Sequence, residues 1–179
     1  MNNPTRAKVA TLRKQAWNDV PTSPGVYLWY FPPKQTTEFL QKLDLEAGDL
    51  NLQSKGGKFP IYCGIAKNLR QRLAWHTSQR LSASALKSGY LSTLRLTLLA
   101  LIDKPYFASE TEIELNELLN NCLFEWRSTA SKFIAETKEK ELLTSGVFPL
   151  NIQKNAQPRL ASSKRKLMKL RKSYKAKYL

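Results

Sequence analysis

Histidine and cysteine are almost missing from this chain. The one histidine is His76 and the two cysteines are Cys63 and Cys122, too few for a disulfide framework or a structural zinc site. Long apolar runs are missing too. The longest near-continuous one, residues 96–102, is far short of the roughly 20 residues a membrane-spanning helix needs, and the N-terminus has no signal-peptide core. We therefore expect a protein of the reducing cytoplasm with no membrane and no zinc. Acidic residues are scarce: 14 Asp and Glu stand against 29 Lys and Arg, a net charge of +15. The imbalance is concentrated. Residues 154–179 hold ten basic residues and no acidic one, and the 19 basic residues elsewhere leave only about +5. Such a chain expects a polyanionic partner, nucleic acid before a membrane surface.

What is present is enough for a core, with 42% apolar residues and the length of one domain plus a tail. We divide it into a basic lead (1–19), a domain (20–155) with an insertion at about 32–58, and a basic tail (156–179). Val9, Leu12 and Ala16 give the lead helical spacing. Residues 25–31, GVYLWYF, read as a strand with Val26, Leu28 and Tyr30 on one face and Tyr27, Trp29 and Phe31 on the other. Residues 59–63 read as a second strand, antiparallel to the first and ended by a glycine turn at Gly64. A helix follows from about Lys67. Ser92 caps another helix, Ser109 an acidic one with Ile113 and Leu118 or Leu119 facing inward, and residues 122–128 read as a third strand. Thr129 or Ser131 caps a helix that Gly146 ends. Loop composition covers 48–57. The tail is a basic helix or a solvated arm with a thin stripe of Leu160, Leu167 and Leu170. The fold class is α/β (α+β), a small three-stranded antiparallel sheet flanked by helices.

The chemistry concentrates in residues 61–76. Arg72 and His76 are four apart, hence on one helix face, and Tyr62 precedes that helix. A guanidinium, an imidazole and a phenol in one volume can hold a phosphate and move a proton. Taken alone, the same three are equally a strand tyrosine, a solvated arginine and a helix-end cation.

The order of motifs carries more. Gly25-Val26-Tyr27, then Tyr62-Cys63-Gly64, then Arg72 in the run AKNLRQR, then Glu139 and Asn151 resemble the GIY-YIG nuclease family. The run at 21–30, PTSPGVYLWY, is similar to the start of the nuclease domain of the bacterial excision-repair incision subunit. Arg72-x-x-x-His76 resembles the restriction-enzyme branch, and STLR at 92–95 resembles small stand-alone members. Ile65 departs from the pattern, standing where many members have lysine.

The resemblance implies a magnesium-dependent DNA endonuclease (Mn2+ able to substitute) of restriction or mobile-element type. Tyr27, Tyr62, Arg72, His76, Glu139 and Asn151 are then the catalytic set, and Glu139 is the metal ligand, with Glu141 as its runner-up. Tyr27 is the candidate base, Arg72 and the metal favour its phenolate, and His76 accepts or relays the proton. This requires Glu139 and both phenols to share one cleft. Lys67, Arg70, Arg80 and the tail cations Lys164, Arg165, Lys166, Lys169, Arg171 and Lys172 are expected on the phosphate backbone of double-stranded DNA, fixing position without reading sequence. A double-strand cut by one small site would ask for a homodimer. The alternative is a non-catalytic DNA- or RNA-binding module of the same fold. A membrane-surface or ribosome-associated role rests on the tail alone.

Overall fold

The computed structural model describes residues 3–50 and 53–179; the expected loop at 48–57 therefore lies partly outside the described residues. Its elements are β1 (Thr5–Lys8), α1 (Val9–Lys14), β2 (Gly25–Phe31), α2 (Pro33–Lys42), α3 (Ala47–Leu50), β3 (Phe59–Ala66), α4 (Leu69–Ser78), α5 (Ala83–Lys87), α6 (Thr93–Ile102), α7 (Ser109–Asn120), β4 (Leu123–Ser128), α8 (Lys132–Ser145), a 3-10 turn (Pro158–Leu160) and α9 (Ala161–Ala176).

Among the described residues the sheet has four strands in the order β1-β4-β2-β3, all neighbours antiparallel. The expected three-stranded sheet is corrected by β1. Most of β1 is exposed, and the strand is added to β4 through backbone pairing from Thr5↔Trp126 to Lys8↔Leu123. A solvated edge strand has no apolar alternation to read. Only its continuation into α1, where Val9 and Leu12 are buried, showed in the spacing.

β2 is central and nearly all buried, as its apolar composition on both faces requires. Tyr27, Trp29 and Phe31 face the main core. Val26 and Leu28 face a smaller one, closed by Leu142 and Leu143 of α8 with Phe148. Gly25 is required by close approach, since a Cβ there would lie 2.4 Å from the Arg127 carbonyl oxygen.

The expected turn at Gly64 does not exist. β3 runs through it to Ala66, and Gly64 pairs with Tyr27. A Cβ at Gly64 would sit 2.5 Å from the Tyr27 hydroxyl, so glycine here clears the space in which the tyrosine ring lies.

The helix starts follow local chemistry. The side chains of Asn68, Ser92 and Ser131 accept bonds from the backbone N–H three residues on, in α4, α6 and α8, which satisfies amides the helix leaves open. Ser109 is not a cap but the first residue of α7. Leu119 turns inward as expected, but Ile113 is exposed and Leu115 takes the inward place. The insertion is folded as α2 and α3, with Phe39, Leu40, Leu43 and Leu50 buried.

The segment expected as a basic helix or solvated arm is the helix α9, docked on the body. Leu160, Leu167 and Tyr174 are buried, and the Tyr174 hydroxyl donates to the Lys104 carbonyl at 2.8 Å. Among the described residues no helix is long and apolar enough to cross a membrane.

Candidate active site

β3 lies at the edge of the sheet opposite β1, and a cleft of about 670 Å³ opens along it. Tyr27, Tyr62, Arg72, His76, Glu139 and Asn151 all line this cleft. The sheet pleat explains the phenols. Tyr27 and Trp29 are two apart on β2, and Trp29 pairs with Tyr62 on β3, so both tyrosines project from one face. α8 packs on the other face through Leu142 and Leu143. Its Lys132, Glu136 and Glu139, spaced four and three apart, turn to the open edge of β3 and enter the cleft there. Glu139 therefore shares the cleft with both phenols although its helix covers the opposite side of the sheet.

Tyr27 and His76 are joined directly. The Tyr27 Oη lies 2.8 Å from Nε2, and Nδ1 lies 2.6 Å from the Ser92 Oγ. Each ring nitrogen is thus engaged, and one proton can shift along Tyr27–His76–Ser92 with both ends still hydrogen-bonded. His76 is no helix-end cation. It is buried, and burial, then Arg72 and Arg95, push its pKa down to about 3. Burial also holds the Tyr27 phenol well above its ordinary range, with Tyr62 adding to the rise and Arg72 opposing it. Arg72 therefore favours the Tyr27 phenolate but is outweighed by desolvation. The Tyr62 pKa is pushed up to about 12, again by burial, with Arg72 and Arg171 opposing.

Arg72 lies over the Trp75 ring at 5.4 Å, one helical turn along, which limits where its fork can point. The Glu139 carboxylate receives the Lys154 Nζ at 2.9 Å. That bond raises the Lys154 pKa, and Lys154 itself sits in left-handed backbone (φ 58°). Glu139 and Glu136, one turn apart, are the cleft's carboxylates among the described residues. These two carboxylates offer oxygen donors, few in number, of the kind that suits a hard cation keeping most of its waters.

Asn151 has a backbone role. Its Oδ1 accepts from the Cys63 N–H at 2.9 Å and its Nδ2 donates to the Cys63 carbonyl at 2.8 Å. One amide side chain thus stands in for a strand neighbour on the edge of β3. Asn151→Leu leaves two buried backbone groups without partners. It should lower unfolding free energy by about 2–4 kcal/mol, read as a lower urea midpoint at unchanged slope.

The expected backbone-contacting cations divide. Lys67 and Arg171 line the cleft. Arg70 donates to the Val20 and Asn18 carbonyls, Lys164 donates to the Asn155 carbonyl, and Lys166 pairs with Asp44. Arg80, Arg165, Lys169 and Lys172 are exposed and lie outside the cleft lining. Sequence reading missed two side chains in contact with the set. Ser92 was visible as a helix cap in the STLR run, but its bond to His76 needs the fold. Lys154 looked like the first of the ten cations in the basic stretch 154–179, and only the exit loop brings it to Glu139.

A family model described as "GIY-YIG catalytic domain" matches residues 25–173. No curated protein and no solved structure matches the chain significantly.

Proposed function

The chain belongs to the GIY-YIG nuclease family, and from that premise we propose that it is a magnesium-dependent endonuclease hydrolysing phosphodiester bonds in double-stranded DNA. The observation that carries the reading is the meeting of Tyr27, Tyr62, Arg72, His76 and Glu139 around one cleft, although they come from four elements and opposite sides of the sheet.

In this reading Glu139 would hold the metal, and Glu136 is the second carboxylate of the same cleft. When bound, the ion neutralises phosphoryl charge and supplies an oriented water. Arg72 takes the non-bridging oxygens in its fork. Tyr62 orients the water or contacts the scissile phosphate. Tyr27 is too deeply buried to carry a standing phenolate. It accepts the proton of the attacking water while passing its own to Nε2 of His76, 2.8 Å away. The bound phosphate offsets the charge of Arg72, one of the groups that holds the proton affinity of His76 down, so His76 is a better acceptor when substrate is present than when it is absent. The charge of +15 supplies sequence-independent attraction to the duplex. Restriction work is the setting that the Arg72–His76 spacing favours, with mobile-element work as the other; a double-strand cut by so small a site would ask for two copies acting across the duplex.

The test is a plasmid library incubated with magnesium or manganese, followed by sequencing of the ends. Cleavage that needs the metal and stops with chelator is expected. Plasmids left intact with either ion across many targets would overturn the reading. A second reading, a non-catalytic nucleic-acid binding module, is favoured by the Lys154 ammonium already seated on Glu139 and by Ile65 in a position where many members have lysine. It predicts salt-sensitive binding that chelator leaves unchanged.

A further inference from the structure

Most cations of α9 are at the surface or spoken for. Lys166 pairs with Asp44, Lys177 just past the helix pairs with Asp103, and Lys164 donates to a backbone carbonyl. Arg171 differs. It stands four residues after Leu167 and three before Tyr174, both buried, so it shares the inward face of the helix with them. It is half-buried, and its Nε is shielded from solvent with no hydrogen-bond partner. No salt bridge to Arg171 occurs among the described residues. Its side chain lines the same cleft as Tyr62 and Arg72. A partly desolvated guanidinium in ion-pair contact with no carboxylate is unfavourable in the ligand-free protein, and a planar fork of donors at the wall of a cleft is completed by a phosphate.

We propose that Arg171 is a phosphate ligand of the active-site cleft, a second guanidinium brought by the C-terminal helix to the nucleic-acid strand that Arg72 also grips. The inference rests on the nuclease reading for the identity of the ligand, and it moves Arg171 from general backbone contact to the reacting site. The mutual electrostatic influence of Arg171 and Tyr62 agrees with this placement, each shifting the other toward its charged form.

The experiment uses the full chain, three variants and two readouts. Arg171→Met keeps the apolar stem and removes the charge, Arg171→Lys keeps the charge without the fork, and Lys34→Ala is the control, an exposed cation of α2 outside the cleft lining. The first readout is binding of thymidine 3′,5′-bisphosphate without metal or DNA. Lys34→Ala should bind it like the wild type, Arg171→Met should lose about tenfold or more, and Arg171→Lys should recover only part. The second is single-turnover cleavage of saturating DNA with magnesium, where Arg171→Met should fall about 10²-fold and Lys34→Ala should not change. Arg171→Met should also melt at or above the wild-type temperature, because a half-buried charge with no ion-pair partner has been removed; replacing a purely structural arginine would lower it. Bisphosphate binding by Arg171→Met equal to wild type, or a clear drop in its melting temperature, overturns the proposal. If the wild type binds the bisphosphate through Arg171 but cuts nothing, the nuclease reading fails and the anion site stands. If the wild type cuts and Arg171→Met cuts equally well, the inference alone fails.

Discussion

Glu139→Ala should lower cleavage by about 10³-fold or more while leaving duplex binding intact. The size follows from the role: a lone carboxylate that anchors the metal supports several kcal/mol of charge stabilisation in the transition state, and each 1.36 kcal/mol is tenfold in rate. The retention of binding follows from the geometry. Glu139 is nine-tenths buried and repels DNA phosphates. Removing it releases the Lys154 ammonium that now sits 2.9 Å away, which adds a cation to the cleft. Affinity for DNA in chelator should therefore be equal to the wild type or slightly higher, with a steeper salt dependence. A mobility-shift titration beside a timed plasmid digest measures both. Cleavage by Glu139→Ala within tenfold of the wild type would remove Glu139 from the site. Loss of binding and cleavage together would mean that the variant had lost the fold.

Below neutrality the protein should lose stability faster than a partner variant, His76→Gln. The sign is set by the direction of the shift. In the unfolded chain a histidine titrates near 6.5, and in the folded protein His76 is pushed down to about 3. Between those values the unfolded state binds the extra proton, so the contribution of His76 is fully present above pH 6.5 and is lost as pH falls toward 3. By about pH 4 the loss is on the order of 3 kcal/mol. For a chain of this size that corresponds to a fall in melting temperature of roughly 6–12 °C beyond the fall in the variant. His76 is buried between Tyr27 and Ser92, with both ring nitrogens engaged at 2.8 and 2.6 Å, and Arg95, also buried, donates to its backbone carbonyl. An imidazolium there would face two guanidiniums and no carboxylate in contact. Thermal melts at a series of pH values on both proteins check this, and parallel curves would mean that His76 is solvated.

Much of the candidate site could be read before the fold was known, because the motif residues sit where local rules are strong. Alternation placed Tyr27 with Trp29 and Phe31 on one face of β2, and helical spacing placed Arg72 and His76 on one face of α4; both relations depend only on residues within two or four of each other. The glycine of the second motif was noticed for the wrong reason. Composition suggested a turn at Gly64, whereas the structure uses it because the Tyr27 ring crosses the strand there. The fourth strand escaped because β1 is held by backbone pairing and carries no apolar alternation. The tail reading missed the docking of α9 because its basic composition hid the spacing of Leu167, Arg171 and Tyr174.

The order and local geometry of the phenols, the guanidinium and the imidazole were therefore present in the chain's own periodicities. The entry of Glu139 into their cleft from a helix on the far face of the sheet was not, nor was the seating of Lys154 upon it or the arrival of Arg171 from the C-terminal helix. Periodicity relates residues one or two turns apart. Contacts across tens of residues come from the long-range packing that closes the two cores around the free edge of β3.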